Sequence, residues 1–196
     1  MSVALVETGG ANLGSVLAAL RRLDADVVVT RDAREIARAS HVILPGVGAA
    51  APAMQRLREE GLDDALRSAS QPVLGICLGM QLLYERSEEG DTTCLGVVPG
   101  SVVRMNPSSG ARIPHMGWNR LVALRESALL AGIDERPYAY FVHGYAAPVS
   151  DDAVAACEHG APFAAAVSHR NFHGVQFHPE RSAEVGARVL RNFLAC

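Results

Sequence analysis

The sequence lacks a basic run and carries little excess charge. Its 196 residues hold 18 Lys and Arg against 21 Asp and Glu, a formal net charge of −3. Proteins that bind nucleic acids or anionic membranes need clustered basic side chains, so the composition argues against both classes. We therefore expect small molecules or other proteins as partners.

The chain also lacks the marks of an exported or metal-binding protein. Residues 1–8 contain neither a charged n-region nor a long apolar stretch, so we expect no signal peptide, no membrane span and a cytoplasmic location. The four cysteines show no C-x-x-C spacing, which argues against a zinc site or a disulfide framework. We expect no metal or other cofactor, and we interpret Cys94, Cys157 and Cys196 as packing or terminal residues.

A hydrophobic content of 49% allows one domain with a substantial core, and we expect residues 1–196 to form a single domain. Up to residue 76, apolar runs alternate with helical patterns, which predicts a mostly parallel α/β sheet flanked by helices. The predicted strands cover 3–7, 27–30, 41–44 and 73–76. The predicted helices cover 13–23, 33–39 behind an Asp32 cap, and 51–69 with a break at Gly61.

After Gly90 the pattern changes to short apolar runs separated by polar turns, which predicts a smaller, largely antiparallel extension. These predicted strands cover 95–97, 102–105, 118–121, 138–142, 153–158 and 164–168. A strand over 173–177 and a helix over 183–194, capped by Ser182, complete the chain. We interpret residues 106–110 as a mobile surface loop.

The segment GICLG at 75–79 follows an apolar run and precedes a helical pattern. A cysteine between two glycines at a strand-to-helix turn is typical of a nucleophile elbow, where the cysteine is strained and its sulfur faces solvent. The positive end of the helix dipole stabilises a thiolate at that point. Cys77 is therefore a candidate nucleophile, and the alternative is a small buried hydrophobic residue.

The segment GVQFHPE at 174–180 supplies the partners that such a nucleophile needs. His178 is the candidate base, since a nucleophilic thiol needs a histidine to take and return a proton. Pro179 favours extended backbone at His178, so His178 and Glu180 can project to the same side, where Glu180 would orient the imidazole. An ordinary solvated pair on a surface turn is the alternative.

Together the two segments resemble the class I glutamine amidotransferases, whose triad is the elbow cysteine with the histidine and glutamate of a His-Pro-Glu motif. Segments at 9–13, 44–48, 75–83, 114–119, 140–143 and 181–182 are similar to the glutaminase subunits of imidazole glycerol phosphate synthases. The resemblance implies a flavodoxin-like fold and hydrolysis of L-glutamine to L-glutamate and ammonia through a cysteinyl thioester. It also implies a heterodimer with a cyclase subunit that uses the ammonia to make imidazole glycerol phosphate and AICAR from PRFAR in histidine biosynthesis.

This chemistry develops a negative oxygen that two backbone N–H groups should stabilise. The candidates are Leu78, directly after the nucleophile, and Val47 or Gly48 in a glycine-flanked loop at a strand end. A plain turn is the alternative for those glycines. Gln81, one helical turn after Cys77, is expected to contact the substrate, unless it is a solvated helix-surface residue.

A second strand end, at 143–145, is expected to form the far wall of the pocket through His143, Gly144 and Tyr145, with a core or rim position as the alternative. Gly144 departs from the family, in which we expect serine or threonine at this point. The residues expected to contact the partner are Asn12, Trp118, Tyr138 and Arg181. A partly buried tryptophan and a solvated arginine are the alternatives for two of them.

Two other functions stay open at this point. The triad residues alone do not distinguish this subunit from the glutaminase of another pathway, such as those of pyridoxal phosphate, purines or anthranilate. A non-enzymatic regulatory module of the same fold is the alternative from a different class, and measurable glutaminase turnover would exclude it.

Overall fold

The computed structural model of the chain describes residues 2–9, 12–106, 110–133 and 137–196. The helices are α1 Leu13–Arg21, α2 Ala33–Arg38, α3 Ala50–Glu59, α4 Leu62–Arg67, α5 Leu78–Leu83 and α6 Ala183–Leu194. The strands are β1 Ser2–Val6, β2 Asp26–Thr30, β3 His41–Gly46, β4 Val73–Cys77, β5 Tyr84–Ser87, β6 Thr92–Thr93, β7 Val98–Arg104, β8 His115–Arg120, β9 Val122–Ala123, β10 Tyr138–His143, β11 Tyr145–Ala146, β12 Ala153–His159, β13 Ala161–His169 and β14 Phe172–Val175.

The main sheet has eight strands in the order β2-β1-β3-β4-β14-β13-β12-β9. The first five run parallel, and β13, β12 and β9 extend the sheet by antiparallel pairing. A β8–β10 ribbon and a small sheet of β11, β7, β5 and β6 lie beside it. The predicted α/β class, with its mostly parallel sheet and antiparallel portion, is confirmed.

Alternation along each central strand divides the core between the two faces of the sheet. Val3 and Leu5 of β1 pack with α1 and α6, whereas Ala4 and Val6 pack with α2, α3 and α4 on the opposite face. Helices on both faces are what parallel strands require, because each crossover returns the chain over the sheet. Among the residues that the structure describes, no helix has the length and hydrophobicity needed to span a membrane.

Several predicted elements are confirmed closely. Helix α6 has the predicted bounds, and α3 and α4 are separated at Gly61, where φ is +66°. The predicted cap of α2 is present, because a side-chain oxygen of Asp32 accepts a 2.7 Å hydrogen bond from the Arg34 amide. Part of the predicted loop over 106–110, and residues 10–11 of the opening motif, lie outside the described residues.

The strand predicted over 95–97 is wrong. Its backbone amides instead satisfy the carbonyls at the end of α5, with Leu95 donating to Leu82 at 2.9 Å and Val97 donating to Leu83 at 2.9 Å. A helix terminus leaves such carbonyls without intrahelical partners. The segment therefore closes the helix that carries the elbow, and the strand begins only at Val98.

The strand predicted over 173–177 ends two residues early, at Val175. The Gln176 amide still donates to Ala165 of β13 at 2.9 Å, but the His178 amide donates to Tyr140 of β10 at 2.9 Å. The chain thus leaves the main sheet for the ribbon. This change of partner positions His178 between the two.

Candidate active site

Cys77 is the last residue of β4, and α5 follows it without an intervening loop. Its backbone has φ 54° and ψ −110°, which few residues other than glycine adopt. A Cβ built on Gly79 would lie 1.8 Å from the Leu44 carbonyl oxygen, and one on Gly75 would lie 2.6 Å from the Gly79 oxygen. The strained turn expected of an elbow is therefore present, and its glycines allow strand and helix backbones to touch.

The sulfur of Cys77 was expected to face solvent, but it does not reach the outer surface. Cys77 is only 6% exposed and lies on the wall of a cleft of about 470 Å³. The cleft opens beyond the carboxyl ends of β3 and β4, where ligands bind in parallel α/β sheets. The cleft is therefore the route by which a reagent reaches this cysteine.

His178 and Glu180 form a buried pair beside the sulfur. The His178 Nδ1 atom lies 2.8 Å from a Glu180 oxygen, and the two side chains are 4% and 0% exposed. A 3-10 turn over Pro179–Arg181 returns Glu180 beneath the imidazole. The expected same-side arrangement is present, but the turn produces it, not a continued strand.

Hydrogen bonds from Asn12 and Ser182 hold the His178–Glu180 pair in place. The Asn12 side-chain amide donates to Glu180 at 2.7 Å, a contact that sequence reasoning missed when it placed Asn12 at a partner surface. Ser182 does not cap α6 with its side chain. Its hydroxyl instead donates to the His178 carbonyl at 2.7 Å and accepts from the Tyr140 amide at 2.9 Å. Ser182 is therefore at the predicted N-cap position, but its side chain fixes the backbone of the candidate base instead of capping the helix.

The protonation of the pair follows from these contacts. Burial disfavours a charged His178, but interactions with Cys77 and Glu180 outweigh that cost and raise its pKa to about 10. Burial also opposes charge on Glu180, yet the hydrogen bond and charge of His178, with the Asn12 amide, lower its pKa. The site therefore favours a protonated His178 imidazole hydrogen-bonded to an ionised Glu180 carboxylate. Nε2 of His178 is buried and has no hydrogen-bond partner among the described residues, so it is available to a molecule in the cleft.

The oxyanion candidates lie at the same end of the sheet. Gly46 pairs with Cys77 between β3 and β4, so Val47 and Gly48 follow beside the candidate nucleophile, and both line the cleft with Leu78. Gly48 has φ +96°, and a Cβ there would meet nothing within 4 Å. Glycine is thus favoured at that position by the backbone conformation and not by crowding.

The far wall carries the three residues expected there, since His143, Gly144 and Tyr145 all line the cleft. His143 is hydrogen-bonded through Nδ1 to the Tyr145 carbonyl at 2.9 Å and through Nε2 to His115 at 3.1 Å. Burial, more than any other factor, lowers the pKa of His143 to about 3 and that of His115 to about 4, so both rings are neutral at pH 7. A Cβ on Gly144 would touch only Ile113, at an ordinary 3.8 Å, so a serine would fit.

Gln81 lines the cleft but is almost fully buried, which excludes a solvated helix surface. Its Nε2 donates to the Tyr145 carbonyl at 2.9 Å and to the Gln176 side-chain oxygen at 3.0 Å. Both hydrogens of this amide are therefore engaged, and the oxygen is the atom left for a substrate.

Sequence reasoning missed several polar residues of the site, among them Gln176 and Glu89. Gln176 is fully buried, with its Nε2 3.8 Å from the Cys77 sulfur. The alternation that places His178 on the site could have found it, because the two residues are two apart. Glu89 lines the cleft and accepts a 2.8 Å bond from the Ala50 amide. It stands in an acidic turn that gives no sequence signal.

Of the remaining predicted residues, Trp118 and Tyr138 lie on the β8–β10 ribbon and Arg181 ends the 3-10 turn beside it. Trp118 and Tyr138 are 54% and 52% exposed, and the Trp118 ring meets Tyr140 edge-on at 6.1 Å. The Arg181 guanidinium lies 5.6 Å from the centre of the Tyr140 ring and lines the cleft. An exposed aromatic surface therefore adjoins the opening.

Two of the other cysteines are poor nucleophiles at neutral pH. Cys94 and Cys157 are buried, and burial raises the pKa of Cys94 to about 11 and that of Cys157 to about 12. A thiol with such a pKa is scarcely ionised at neutral pH and is a poor nucleophile. The interpretation of both as packing residues agrees with their environment.

Comparison with known proteins gives a consistent result. Residues 4–196 match the family model described as glutamine amidotransferase class-I. The chain is 63% identical over 192 residues to the imidazole glycerol phosphate synthase subunit HisH of Xanthomonas euvesicatoria pv. vesicatoria, covering 98% of this chain and 96% of that protein. It is 57% identical to the protein of the same name from Xylella fastidiosa strain Temecula1, with the same coverage.

Solved structures agree in fold. A putative GMP synthase protein from Thermoplasma acidophilum superposes with a TM-score of 0.76 at 22% identity, covering all of this chain and 92% of that one. PurLQS from Thermotoga maritima superposes with a TM-score of 0.72 at 20% identity, covering 99% and 97%. The same backbone arrangement is therefore found in proteins with quite different sequences.

Proposed function

The chain belongs to the class I glutamine amidotransferase family, and from this we propose that it is the glutaminase subunit of an imidazole glycerol phosphate synthase. It hydrolyses L-glutamine and supplies the ammonia for a step of histidine biosynthesis. The observation that carries the proposal is the meeting of Cys77, His178 and Glu180 in one cleft, in a chain 63% identical to such a subunit. We propose one amidotransferase domain over residues 1–196, which the family match over 4–196 supports.

In the proposed reaction the Cys77 sulfur attacks the side-chain carbonyl carbon of glutamine and a tetrahedral oxyanion forms. The carbon–nitrogen bond then breaks, His178 gives its proton to the departing nitrogen, and a glutamyl thioester remains on Cys77. His178 next takes a proton from water, whose oxygen displaces the sulfur and releases glutamate. Glu180 holds the imidazole in one orientation and stabilises its charged form.

The oxyanion needs donors that are in place before it forms. We assign this role to the backbone amide of Leu78, at the start of α5, and to that of Val47 or Gly48. The loop beside the nucleophile and the φ of Gly48 support this choice. Removal of one such donor typically costs about 3 kcal/mol of transition-state stabilisation.

The cleft also offers groups to position the substrate. The Glu89 carboxylate on its wall suits the α-ammonium group of glutamine, and the Gln81 side-chain oxygen is a second acceptor. His143, Gly144 and Tyr145 form the opposite wall. A free amino acid carries both charges at neutral pH, and the Glu89 carboxylate and the Gln81 oxygen provide acceptors for its ammonium group.

The partner is proposed to be the cyclase subunit, in a heterodimer. Ammonia released into water at neutral pH is mostly protonated and no longer nucleophilic, so the cleft has to open into a covered passage. The exposed side chains of Met116, Trp118 and Tyr138 beside the cleft support an interface there, because large exposed apolar groups are favourable at interface centres. Arg181 lies at the junction of cleft and surface.

The proposal is tested by purifying the chain together with the cyclase subunit of a bacterial histidine pathway and measuring glutamine-dependent imidazole glycerol phosphate formation. We expect a stable complex and a rate that disappears without either subunit, whereas free ammonium salts at high pH support the cyclase alone. Parallel assays with the synthase partners of pyridoxal phosphate, purine and anthranilate formation should show no coupling. Coupling to one of those partners instead would overturn the assignment, and absence of any glutamine hydrolysis would favour a regulatory module.

A further inference from the structure

We propose that Gln176 donates a hydrogen bond to the Cys77 sulfur and stabilises its thiolate form. This inference rests on the proposed role of Cys77 as nucleophile. Gln176 is fully buried, and its Nε2 lies 3.8 Å from the sulfur. Burying an amide without hydrogen bonds costs free energy. The Gln176 amide therefore takes the orientation in which its neighbours satisfy its oxygen and its NH₂ group.

The neighbours determine which end of the Gln176 amide faces the sulfur. The Tyr145 carbonyl is a pure acceptor and receives bonds from Gln81 Nε2 and from His143 Nδ1, each at 2.9 Å. Gln81 must therefore turn its NH₂ group toward this carbonyl, and the second hydrogen of that group points to Gln176 at 3.0 Å. If the Gln176 amide were reversed, two NH₂ groups would face each other. The oxygen of Gln176 is thus held toward Gln81 and its NH₂ group toward Cys77.

The chain of hydrogen bonds continues from the Tyr145 carbonyl into the protein and keeps these side chains in place. His143 carries its proton on Nδ1, so its Nε2 accepts from His115 Nδ1, and His115 Nε2 accepts from the Asn119 amide at 3.2 Å. Both rings are neutral at pH 7, as this single direction of donors requires. A satisfied network of this kind fixes the side chains that it contains.

The effect on the sulfur depends on its charge. A neutral Cys77 thiol has an acceptor of its own, the Val142 carbonyl, at 3.9 Å. A thiolate has no hydrogen to donate to the Val142 carbonyl, so the negative sulfur and the carbonyl oxygen repel each other. The hydrogen bond from the Gln176 amide offsets this repulsion. Because a donor bonds more strongly to an anion than to a neutral group, Gln176 favours ionisation of the nucleophile.

The test is the pH dependence of Cys77 alkylation by iodoacetamide in the full chain, followed at the Cys77 peptide by mass spectrometry. Two variants remove the donor: Gln176→Met keeps the length of the side chain, and Gln176→Glu keeps an acceptor for Gln81 but faces the sulfur with oxygen. We expect the midpoint of alkylation to rise by about one pH unit in Gln176→Met and by more in Gln176→Glu, which is roughly tenfold slower labelling at neutral pH. The control Gln55→Met, exposed on α3, should match the wild type.

The plateau rate at high pH separates this role from a structural one. There the sulfur is fully ionised in every variant, so the plateau should be nearly unchanged if Gln176 acts only on the charge of the sulfur. His178, His143, Glu89 and Arg181 share the cleft and remain in all variants. An unchanged midpoint in both Gln176 variants, with or without a lower plateau, would overturn the inference. Alkylation by iodoacetamide does not depend on glutamine turnover. A failed glutaminase assay would therefore count against the proposed function and leave the test of Gln176 unaffected.

Discussion

The carbonyl oxygen of Leu44 lies 1.8 Å from the position that a Cβ would occupy on Gly79. Leu44 belongs to β3 and Gly79 to the first turn of α5, so the helix that follows Cys77 rests directly on the neighbouring strand. No side chain fits between them. The position of Cys77 is therefore set by backbone contact.

Gly79→Ala should destabilise the protein by about 3 kcal/mol or more, because the helix has to move away from the strand to admit a methyl group. Urea unfolding monitored by circular dichroism measures the change. Gly14→Ala is the matched control, since a Cβ on Gly14 of α1 meets nothing within 4 Å. That control should gain up to about 1 kcal/mol from helix propensity, and equal effects at the two glycines would contradict the account.

The triad residues should differ in the damage that their loss causes. His178→Ala should reduce kcat nearly as much as loss of Cys77, because no other group takes and returns the proton. Glu180→Gln should keep some turnover, since an amide still holds the ring but does not stabilise its positive charge. The double variant that combines His178→Ala with Glu180→Gln should have a kcat little lower than that of His178→Ala alone. Equal and independent losses, measured as kcat with the partner present, would argue against residues acting as a unit.

Stability should fall as the pH is lowered from 7 to 5. The folded pKa values of His143 and His115 are lowered to about 3 and about 4, so the unfolded chain binds their protons first below about pH 6.5. Each ring then removes up to about 1.4 kcal/mol of unfolding free energy per pH unit. The raised pKa of His178 changes the free energy of unfolding only above pH 6.5. The lowered pKa of Glu180 changes it only below the pH range in which an ordinary glutamate titrates.

His115→Phe should make this acid dependence shallower, because one of the buried rings whose pKa is lowered no longer titrates. The ring of His115 stacks on Phe141 at 4.8 Å, so an aromatic replacement keeps that contact. Absolute stability will be lower, since the hydrogen bond to His143 is lost. The slope of unfolding free energy against pH is therefore the readout, and a slope equal to that of the wild type would count against the neutral pair.

Arg181→Glu should weaken binding of the cyclase and lower partner-stimulated glutaminase activity. We hypothesise that the guanidinium pairs with an acidic residue of the partner, because its planar fork of donors suits a carboxylate and stays charged. Alkylation of Cys77 by a small electrophile should stay nearly unchanged. Arg38→Glu is the control, since Arg38 is exposed at the end of α2, just before β3 begins, away from the cleft. Complex affinity and coupled transfer as in the wild type would remove Arg181 from the interface.

Local patterns were sufficient for much of the fold. The bounds of α6 follow from its periodic apolar face, and the elbow follows from glycines placed where strand and helix meet. The segment 95–97 was beyond such reasoning. Its amides bond to a helix terminus more than ten residues earlier, and that choice is decided by the tertiary fold and not by the three residues themselves.

The site shows the same division. Cys77, His178 and Glu180 stand in motifs whose chemistry is readable from residue types and spacing. The Asn12 amide reaches Glu180 across 168 positions of the chain, and no pattern near either residue announces the contact. The orientation of Gln176 is likewise fixed by Gln81 from a different element. Residues that position the reacting groups were therefore less predictable than the reacting groups.

The central claim is that Cys77 is the nucleophile, and trapping its glutamyl thioester tests it most directly. The chain, with Cys196→Ser to remove the exposed thiol, is mixed with its cyclase partner and L-glutamine, quenched in acid during turnover, and digested for mass spectrometry. The account predicts one glutamyl group on the Cys77 peptide, none on Cys94 or Cys157, and no adduct and no turnover in folded Cys77→Ala. Glutamine hydrolysis that persists in Cys77→Ala, or an adduct on another residue, would contradict it.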